Sequence, residues 1–243
     1  QGQIKKTDVM AYSKVRSTGI RAIDIREGDD LVGVRLLEAD DAHVMLTTRA
    51  GKAIRFKNTD VRPMGRVARG VRGIRLADGD EVVSMDILDP EKDVLAVTLN
   101  GFGKRSLTSD YRTTKRGGKG IVTILTTERN GLLVGSVQVG DDDQVLMVTD
   151  GATIIRFRAS DLRTMGRYTQ GVRLVRLKKG EQVVAIERLM DVDEDDESLA
   201  SIDGELLEDD DAAATAAAAD DSVTDEADTA DDDTDDSDEA DEE

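Results

Sequence analysis

Short runs of alternating hydrophobic and polar residues follow one another along most of the chain, and turn-forming residues separate them. Between residues 44 and 88 this pattern predicts four strands. They are expected over Val44–Thr48, Ala53–Lys57, Val71–Leu76 and Val82–Leu88, with turns at Gly51 and at 78–80 and looser alternation that permits a bulge at Gly73. In Arg55-Phe56-Lys57 the alternation predicts an inward ring between two outward cations. No segment of residues 1–190 sustains a helical period, so the predicted fold class is all-β.

The four-strand pattern recurs with a period of about 50 residues. A glycine opens a basic strand in each copy, at Gly2, Gly51, Gly101 and Gly151. A basic loop then follows an aspartate and ends at Gly19, Gly70, Gly120 or Gly171. Such a period is typical of arrays whose units bury their apolar faces only by stacking on their neighbours. We therefore expect a partial blade over residues 1–40 and blades over 41–89, 90–140 and 141–190.

The first copy is incomplete. Its pattern predicts strands near Ile4, over Ile20–Ile25 and over Leu31–Leu36, but no run before Gly2 corresponds to Val44–Thr48. Because an unpaired sheet edge is prone to aggregation, we expect the missing strand to lie upstream in a longer protein.

Charge is distributed very unevenly along the chain. The net charge is −19, which alone would argue against binding to nucleic acid. No Lys or Arg follows Arg188, and residues 191–243 hold 27 of the 52 acidic residues. The remaining 25 acids face 33 bases, so residues 1–190 carry a net charge of +8. Residues 191–243 have too few apolar side chains to bury a core, and we predict a disordered acidic tail there.

Composition argues against a catalytic or metal site. The chain has no Cys, which excludes disulfides and fits a reducing cytosol. Its single histidine, His43, is interpreted as a solvated surface residue. The loops 65–70 and 166–171 have the glycine spacing of a P-loop, but Val-Arg follows each instead of Lys-Ser/Thr. No apolar run approaches the roughly 20 residues of a membrane-spanning helix. We predict no catalytic residue, no metal and no membrane association.

The basic loops are the remaining candidate site. Stacked repeats would place equivalent loops along one rim, and a repeated positive rim matches the repeated phosphates of duplex DNA. Glycines beside the cations would let main-chain N–H groups approach those phosphates. The candidate DNA-binding residues are Lys14, Arg16, Arg66, Arg69, Arg72, Lys115, Arg116, Gly117, Gly118, Lys119, Gly120, Arg167 and Arg173.

Two alternatives stay open at this point. The rim could instead bind an acidic protein, which would make the chain an interaction scaffold. The tail, in turn, either only keeps the chain soluble or occupies the basic rim and competes with DNA.

Several segments resemble a known family. Residues 114–120 read Thr-Lys-Arg-Gly-Gly-Lys-Gly, similar to the Gln-Lys/Arg-Arg-Gly-Gly-Lys/Arg-Gly box of the DNA gyrase A C-terminal domain, and depart from it at the first residue. Residues 70–76, 100–105 and 127–131 are similar to later repeats of that domain. The resemblance covers residues 1–190. The runner-up is the related, shorter domain of topoisomerase IV.

The resemblance implies a β-pinwheel, a propeller-like disc of four-stranded blades that exchange a strand with their neighbours and bend duplex DNA around the rim. Because the family places its box in the first blade, residues 114–120 are expected to echo a principal box upstream. The resemblance also implies a cytoplasmic parent enzyme in which gyrase A and gyrase B form a heterotetramer. That enzyme introduces negative supercoils with ATP and Mg²⁺ bound by other domains, and we expect no cofactor in this chain.

Overall fold

The regular elements of the residues that the structure describes are strands and short 3₁₀ turns. The computed structural model describes residues 1–39 and 41–189. The strands are β1 (Gln3–Ile4), β2 (His43–Thr48), β3 (Lys52–Lys57), β4 (Val71–Arg72), β5 (Val82–Leu88), β6 (Asp93–Thr98), β7 (Phe102–Ser106), β8 (Ile121–Val122), β9 (Leu133–Val139), β10 (Gln144–Thr149), β11 (Ile154–Arg158), β12 (Val172–Arg173) and β13 (Val183–Leu189). The 3₁₀ turns are Val9–Tyr12, Asn58–Asp60, Thr108–Asp110 and Ala159–Asp161. The all-β prediction is confirmed. Within the described ranges, no helix is long and apolar enough to cross a membrane.

Each repeat completes the sheet of the repeat before it. Two four-stranded sheets have the orders β5-β2-β3-β8 and β12-β7-β6-β9, and all their pairings are antiparallel. In the first, β2, β3 and β5 come from one repeat and the short outer strand β8 comes from the next. The same exchange pairs β4 with β1, while β11, β10 and β13 form a three-stranded sheet. The strand exchange implied by the family resemblance is therefore present in the structure.

The predicted long strands of the second repeat agree with the structure to within one residue. The third predicted strand, Val71–Leu76, is shorter, because β4 ends at Arg72. The chain bends at Gly73, whose N–H donates to the carbonyl of Gly2 at 2.8 Å, as does that of Ile74 at 3.2 Å. The strand therefore ends at the position where the alternation permits a bulge, because its next two N–H groups donate to the carbonyl of Gly2, the opening glycine of the preceding repeat.

The hydrophobic core lies largely between repeats. One cluster joins Leu95 and Val97 of the third repeat to Val145 and Met147 of the fourth, all fully buried. A second cluster is built from the second repeat around Phe56, which is 0 % exposed and points inward as predicted, and Ile4 of the first repeat packs against it. These shared clusters are what stacked units require, because the apolar face of one repeat is covered by the next.

The prediction for Arg55 is wrong, because this side chain does not point to solvent. Its Nη1 donates to the carbonyls of Thr108 and Tyr111 at 3.0 and 3.2 Å, in the next repeat. Burial lowers the pKa of Arg55 from its usual value. The alternating position alone does not reveal this contact, which depends on the stacking of the following repeat.

Two strands predicted in the first copy are absent. Residues 20–25 and 31–36 have no regular structure, and Leu31, Val34 and Leu36 are 55, 72 and 70 % exposed. In the second repeat the corresponding strand β5 pairs with β2 along its length. Among the described residues no equivalent of β2 lies beside the first copy, so these segments lack a partner for their backbone hydrogen bonds.

The glycine register of the fourth copy is shifted by one residue. Gly51 and Gly101 have φ of 76° and 75°, and each N–H donates to the carbonyl three residues earlier. In the fourth copy Ala152, with φ 58°, makes this turn, whereas the sequence period pointed to Gly151. Gly51 also lies against the backbone of the next repeat, since an added Cβ would be 2.4 Å from the carbonyl oxygen of Ile124. No described strand occupies the corresponding place in the fourth sheet, so an alanine fits there.

Candidate functional site

Three basic loops occupy equivalent places on successive sheets. They span residues 62–70, 112–120 and 163–171, and each forms one parallel bridge with the preceding repeat. In each, a loop N–H donates at 2.8 Å to a carbonyl of that repeat; the pairs are Met64 to Lys6, two residues after β1, Thr114 to Arg55 in β3 and Met165 to Arg105 in β7. The alignment expected from the sequence period is therefore present for these loops. For the first loop, residues 13–19, the described residues include no preceding sheet.

The closing glycine of each loop allows a close approach between repeats. Gly120 has φ 74°, and an added Cβ would lie 2.6 Å from the carbonyl oxygen of Ala53. Gly70 and Gly171 make the same approach to Ile4 and Gly103, at 2.6 and 2.5 Å. The recurrence of these glycines in the sequence is thus explained by packing of the loop on the sheet.

Three of the candidate arginines connect adjacent repeats. Arg66, Arg116 and Arg167 stand at equivalent loop positions, and each Nη1 donates to a main-chain carbonyl of the preceding repeat. The acceptors are Arg21 at 3.0 Å, Arg72 at 3.0 Å and Val122 at 2.7 Å. Arg116 donates a second bond from Nε to the carbonyl of Asp60 at 2.8 Å. Part of the donor capacity of these side chains is therefore used inside the protein, which fixes the loops in place.

Other candidate cations face solvent. Lys115 and Lys119 are exposed on the third loop, as are Lys14 and Arg16 on the first and Arg72 and Arg173 on the short strands or at their ends. None of these six takes part in an ion pair formed within residues 1–39 and 41–189. They are the cations best placed to meet an external anion.

Arg69 differs from the other exposed cations because it has an acidic partner. Its Nε lies 2.6 Å from Oδ2 of Asp24, which also pairs with Arg21. The hydrogen bond from Arg69 lowers the pKa of the Asp24 carboxyl. Exposed pairs of this kind are weak and are screened by salt, so a phosphate can compete for Arg69.

The main chain of the loop glycines Gly117 and Gly118 is used in hydrogen bonds within the protein, whereas the sequence predicts main-chain N–H groups that approach phosphates. The N–H of Gly117 donates to the carbonyl of Gly73 at 2.6 Å and is not free for a phosphate. The carbonyl of Gly118 accepts a hydrogen bond from the N–H of Arg75 at 2.8 Å. At both positions the main chain holds the loop on the neighbouring repeat, and the exposed lysines beside it carry the available charge.

A buried lysine, which the charge pattern does not distinguish from the exposed cations, lies beneath the fourth loop. Lys104 is 1 % exposed, and its Nζ donates to Oγ of Ser106 at 2.7 Å and to the carbonyl of Gly166 at 2.9 Å. Burial, and secondarily the nearby Arg167, lower the pKa of Lys104 to about 7. In the repeat period Lys104 aligns with the apolar Ile54 and Ile155, and this alignment is the signal that the sequence offers. In the structure Lys104 lies opposite the small Ala96.

One further set of exposed loop cations is absent from the candidate DNA-binding residues predicted from the sequence. Arg62, Arg112 and Arg163 are exposed and begin the three loops. Each lies two residues after an aspartate, and this constant offset was visible in the sequence.

The single histidine, His43, belongs to no cluster of metal-binding side chains among the described residues. His43 begins β2 and is half-buried, so it is less solvated than predicted. Burial, followed by Arg55 and Lys57, lowers its pKa. In the part of the chain that the structure describes, no group of three or more His, Asp and Glu side chains is arranged to hold a metal ion.

The four copies of the repeat match a known family model. The model described as "DNA gyrase C-terminal domain, beta-propeller" matches residues 1–38, 42–89, 92–139 and 143–190, one match for each copy of the repeat. The chain belongs to the DNA gyrase C-terminal domain family. The propeller-like fold and the family assignment predicted from the repeats and the loop box are thereby confirmed.

Curated relatives of high similarity are A subunits of DNA gyrase. The A subunit of DNA gyrase from Salmonella typhimurium is 47 % identical over 227 residues, which cover 93 % of this chain and 26 % of the relative. That of Chlamydia pneumoniae is 46 % identical over 206 residues, covering 84 % of this chain and 25 % of the relative. The chain spans about a quarter of the length of these relatives.

Solved structures show the same fold. The C-terminal domain of DNA topoisomerase IV has a TM-score of 0.74 at 24 % identity, covering 78 % of this chain and 59 % of that one. A DNA gyrase A C-terminal domain has a TM-score of 0.69 at 24 % identity, covering 78 % and 63 %. At this identity the two structures show the fold alone, and the sequence relatives distinguish the gyrase family from topoisomerase IV.

Proposed function

We propose that the β-pinwheel binds duplex DNA along its basic loops and bends it around the rim. The observation that carries this proposal is the placement of three loops at equivalent positions on successive sheets, fixed by the main-chain bonds of Met64, Thr114 and Met165. The exposed cations Arg62, Arg112 and Arg163 then recur along one direction, and Lys115 and Lys119 add to them on the third loop. The net charge of +8 on residues 1–190 supports the same proposal.

Such a surface contacts the sugar-phosphate backbone and not the base edges. Lysines and arginines that meet phosphates fix position without reading sequence. Bending a short duplex costs about 1–6 kcal/mol by elastic estimates, and contacts in register along the bend offset this cost. The arginines that join the repeats, Arg66, Arg116 and Arg167, serve this function by keeping the loops at a fixed spacing.

The parent protein is proposed from the relatives. In it this domain would be part of gyrase A, joined with gyrase B in a cytoplasmic heterotetramer. Other domains would bind ATP and Mg²⁺ and carry out cleavage and strand passage. A wrap of fixed hand would then present a neighbouring DNA segment to the enzyme and lead to negative supercoils. The contribution of this chain is the wrap.

The salt dependence of DNA binding tests the proposal. We expect the logarithm of the binding constant for linear duplex to fall linearly with the logarithm of salt concentration, with each phosphate contact adding about 0.9 to the slope. The double variant K115Q/K119Q should lower the slope by about 2. Fluorescence anisotropy across a salt series measures both quantities.

A matched control separates loop cations from total charge. Lys57 and Arg158 occupy equivalent exposed strand ends outside the loops, and K57Q/R158Q removes the same charge. This control should keep the slope of the unchanged chain. A slope near zero for the unchanged chain would reject DNA wrapping and favour a scaffold for acidic proteins. Binding without a change in linking number after relaxation and ligation would indicate that DNA lies straight on the rim.

The acidic residues 191–243 lie outside the described residues, and their role is predicted from charge. Their 27 carboxylates are opposite in sign to the loop cations of the same chain. A chain ending at Met190 should bind duplex DNA more tightly at low salt, and the difference should shrink as salt screens the competition. Titrations of both chains at low and high salt measure this. Equal affinities at low salt would leave the tail a solubilising role only.

A further inference from the structure

Two arginines from different repeats lie over one buried ring, outside the basic loops. The ring of Phe102 is 3 % exposed. The Cζ atoms of Arg129 and Arg173 lie 5.0 and 5.2 Å from its centroid. Arg173 belongs to β12 of the fourth repeat and pairs with Phe102 in β7. Arg129 belongs to a turn of the third repeat. The two guanidinium groups therefore meet at the junction of the two repeats.

Hydrogen bonds fix the backbone on both sides of this junction. Asn130, which is 0 % exposed, donates from Nδ2 to the carbonyls of Leu125 and Gln170 at 2.8 and 3.0 Å. Its Oδ1 accepts from the N–H of Thr127 at 2.8 Å. Arg129 is thus held directly beside the end of the fourth basic loop. The cation pair continues the candidate DNA-binding surface and is not a separate face.

The electrostatics of this junction favour an external anion. Two like charges on one ring repel each other, and neither arginine joins an ion pair within the described ranges. Both line a cavity of about 400 Å³ together with Arg176 and Lys178. The one carboxylate in its lining, Glu181, accepts hydrogen bonds from Thr149, Thr153 and the N–H of Lys178.

The other repeat junctions of the described chain lack this arrangement. At the junction of the second and third repeats, the pair equivalent to Phe102 and Arg173 is Lys52 and Val122. At the junction of the first and second repeats, the equivalent pair is Gln3 and Arg72. Among these described junctions, only the third combines an aromatic ring with two guanidinium groups. Stacking on a ring orients a guanidinium plane and leaves its edge N–H groups for a ligand.

We infer that Phe102, Arg129 and Arg173 form a clamp for one backbone phosphate of the bound duplex. Planar guanidinium groups donate paired hydrogen bonds to phosphate oxygens, and the ring holds them before DNA arrives. This inference rests on the proposed function. It adds a contact that lies outside the basic loops and that includes Arg129, a residue of the neighbouring turn.

The double variant R129Q/R173Q in the 243-residue chain tests the clamp. Binding to linear duplex at low salt should weaken about ten-fold, and the salt slope should fall by about 1, the value for a single phosphate. The charge-matched control K57Q/R158Q should show neither change. A slope for R129Q/R173Q equal to that of the unchanged chain would overturn the clamp.

One further variant and a comparison with K115Q/K119Q make the outcome specific. F102L keeps both charges and removes the aromatic face, so affinity should fall several-fold at a temperature well below the unfolding midpoint. Affinity equal to that of the unchanged chain would refute the role of the ring. If K115Q/K119Q lowers the slope and R129Q/R173Q does not, the clamp fails and the proposed function stands. If neither variant lowers it, both fail.

Discussion

Replacing Gly120 with alanine is expected to lower the free energy of unfolding by about 3 kcal/mol. The φ of 74° places this residue in the left-handed region, where a side chain costs about 1–2 kcal/mol. The added Cβ would also lie 2.6 Å from the carbonyl oxygen of Ala53, so the loop must move away from the preceding sheet. Such overpacking costs a further 1–3 kcal/mol or so. Urea unfolding followed by circular dichroism measures the change.

Gly79 provides the matched control for this variant. Its φ is also 74°, but an added Cβ would have no atom within 4 Å. G79A should therefore show only the backbone cost of about 1–2 kcal/mol. The difference between the two variants isolates the contact between repeats. Equal destabilisation would contradict the packing role assigned to the closing glycines.

Stability is expected to rise between pH 6 and pH 9 because of Lys104. Burial lowers its pKa to about 7 in the folded chain, against the ordinary lysine value of 10.5 in the unfolded chain. Below pH 7 the ammonium is charged in both states and its burial cost is constant. Above pH 7 the folded chain loses this proton while the unfolded chain keeps it, so the unfolded chain binds more protons and stability rises up to about pH 10.5. Between pH 6 and 9 the gain from this group is at most about 3 kcal/mol.

The variant K104M removes the titrating group and keeps an unbranched side chain. Its stability should rise by about 2–3 kcal/mol less than that of the unchanged chain between pH 6 and pH 9. Chemical unfolding at a series of pH values gives both curves, and their difference cancels the contribution of other titrating groups. Parallel curves would show that Lys104 keeps its ordinary affinity for protons when folded.

The long strands of the second to fourth repeats could be predicted because their alternation is local. The first copy could not be predicted in the same way. Residues 20–25 and 31–36 have strand-like patterns, but a strand requires a partner for its backbone, and the pattern carries no information about that partner. The shift from Gly151 to Ala152 has a similar origin, because a glycine is needed only where another repeat lies close.

The position of the basic loops follows from the sequence period, but the contacts of each side chain on them do not. The sequence period predicts that the loops lie at equivalent places, which three of them do, and Lys115 and Lys119 are exposed on one of these loops. For Arg116 and Arg167 the sequence shows a charge but not the direction of the guanidinium, which bonds to the neighbouring repeat. The sequence does not single out Arg129, because its contact with the ring of Phe102 joins residues 27 positions apart.

Strand exchange also governs how the chain can fold during its synthesis. β8 begins 64 residues after β3 ends, and β12 begins 66 residues after β7 ends. At about 5–20 residues per second, a ribosome needs roughly 3–13 s to supply the strand that closes each sheet. During that interval the outer edge of the nascent blade is unpaired and open to other chains. Synthesis of the next repeat is therefore the step that protects each blade from intermolecular pairing.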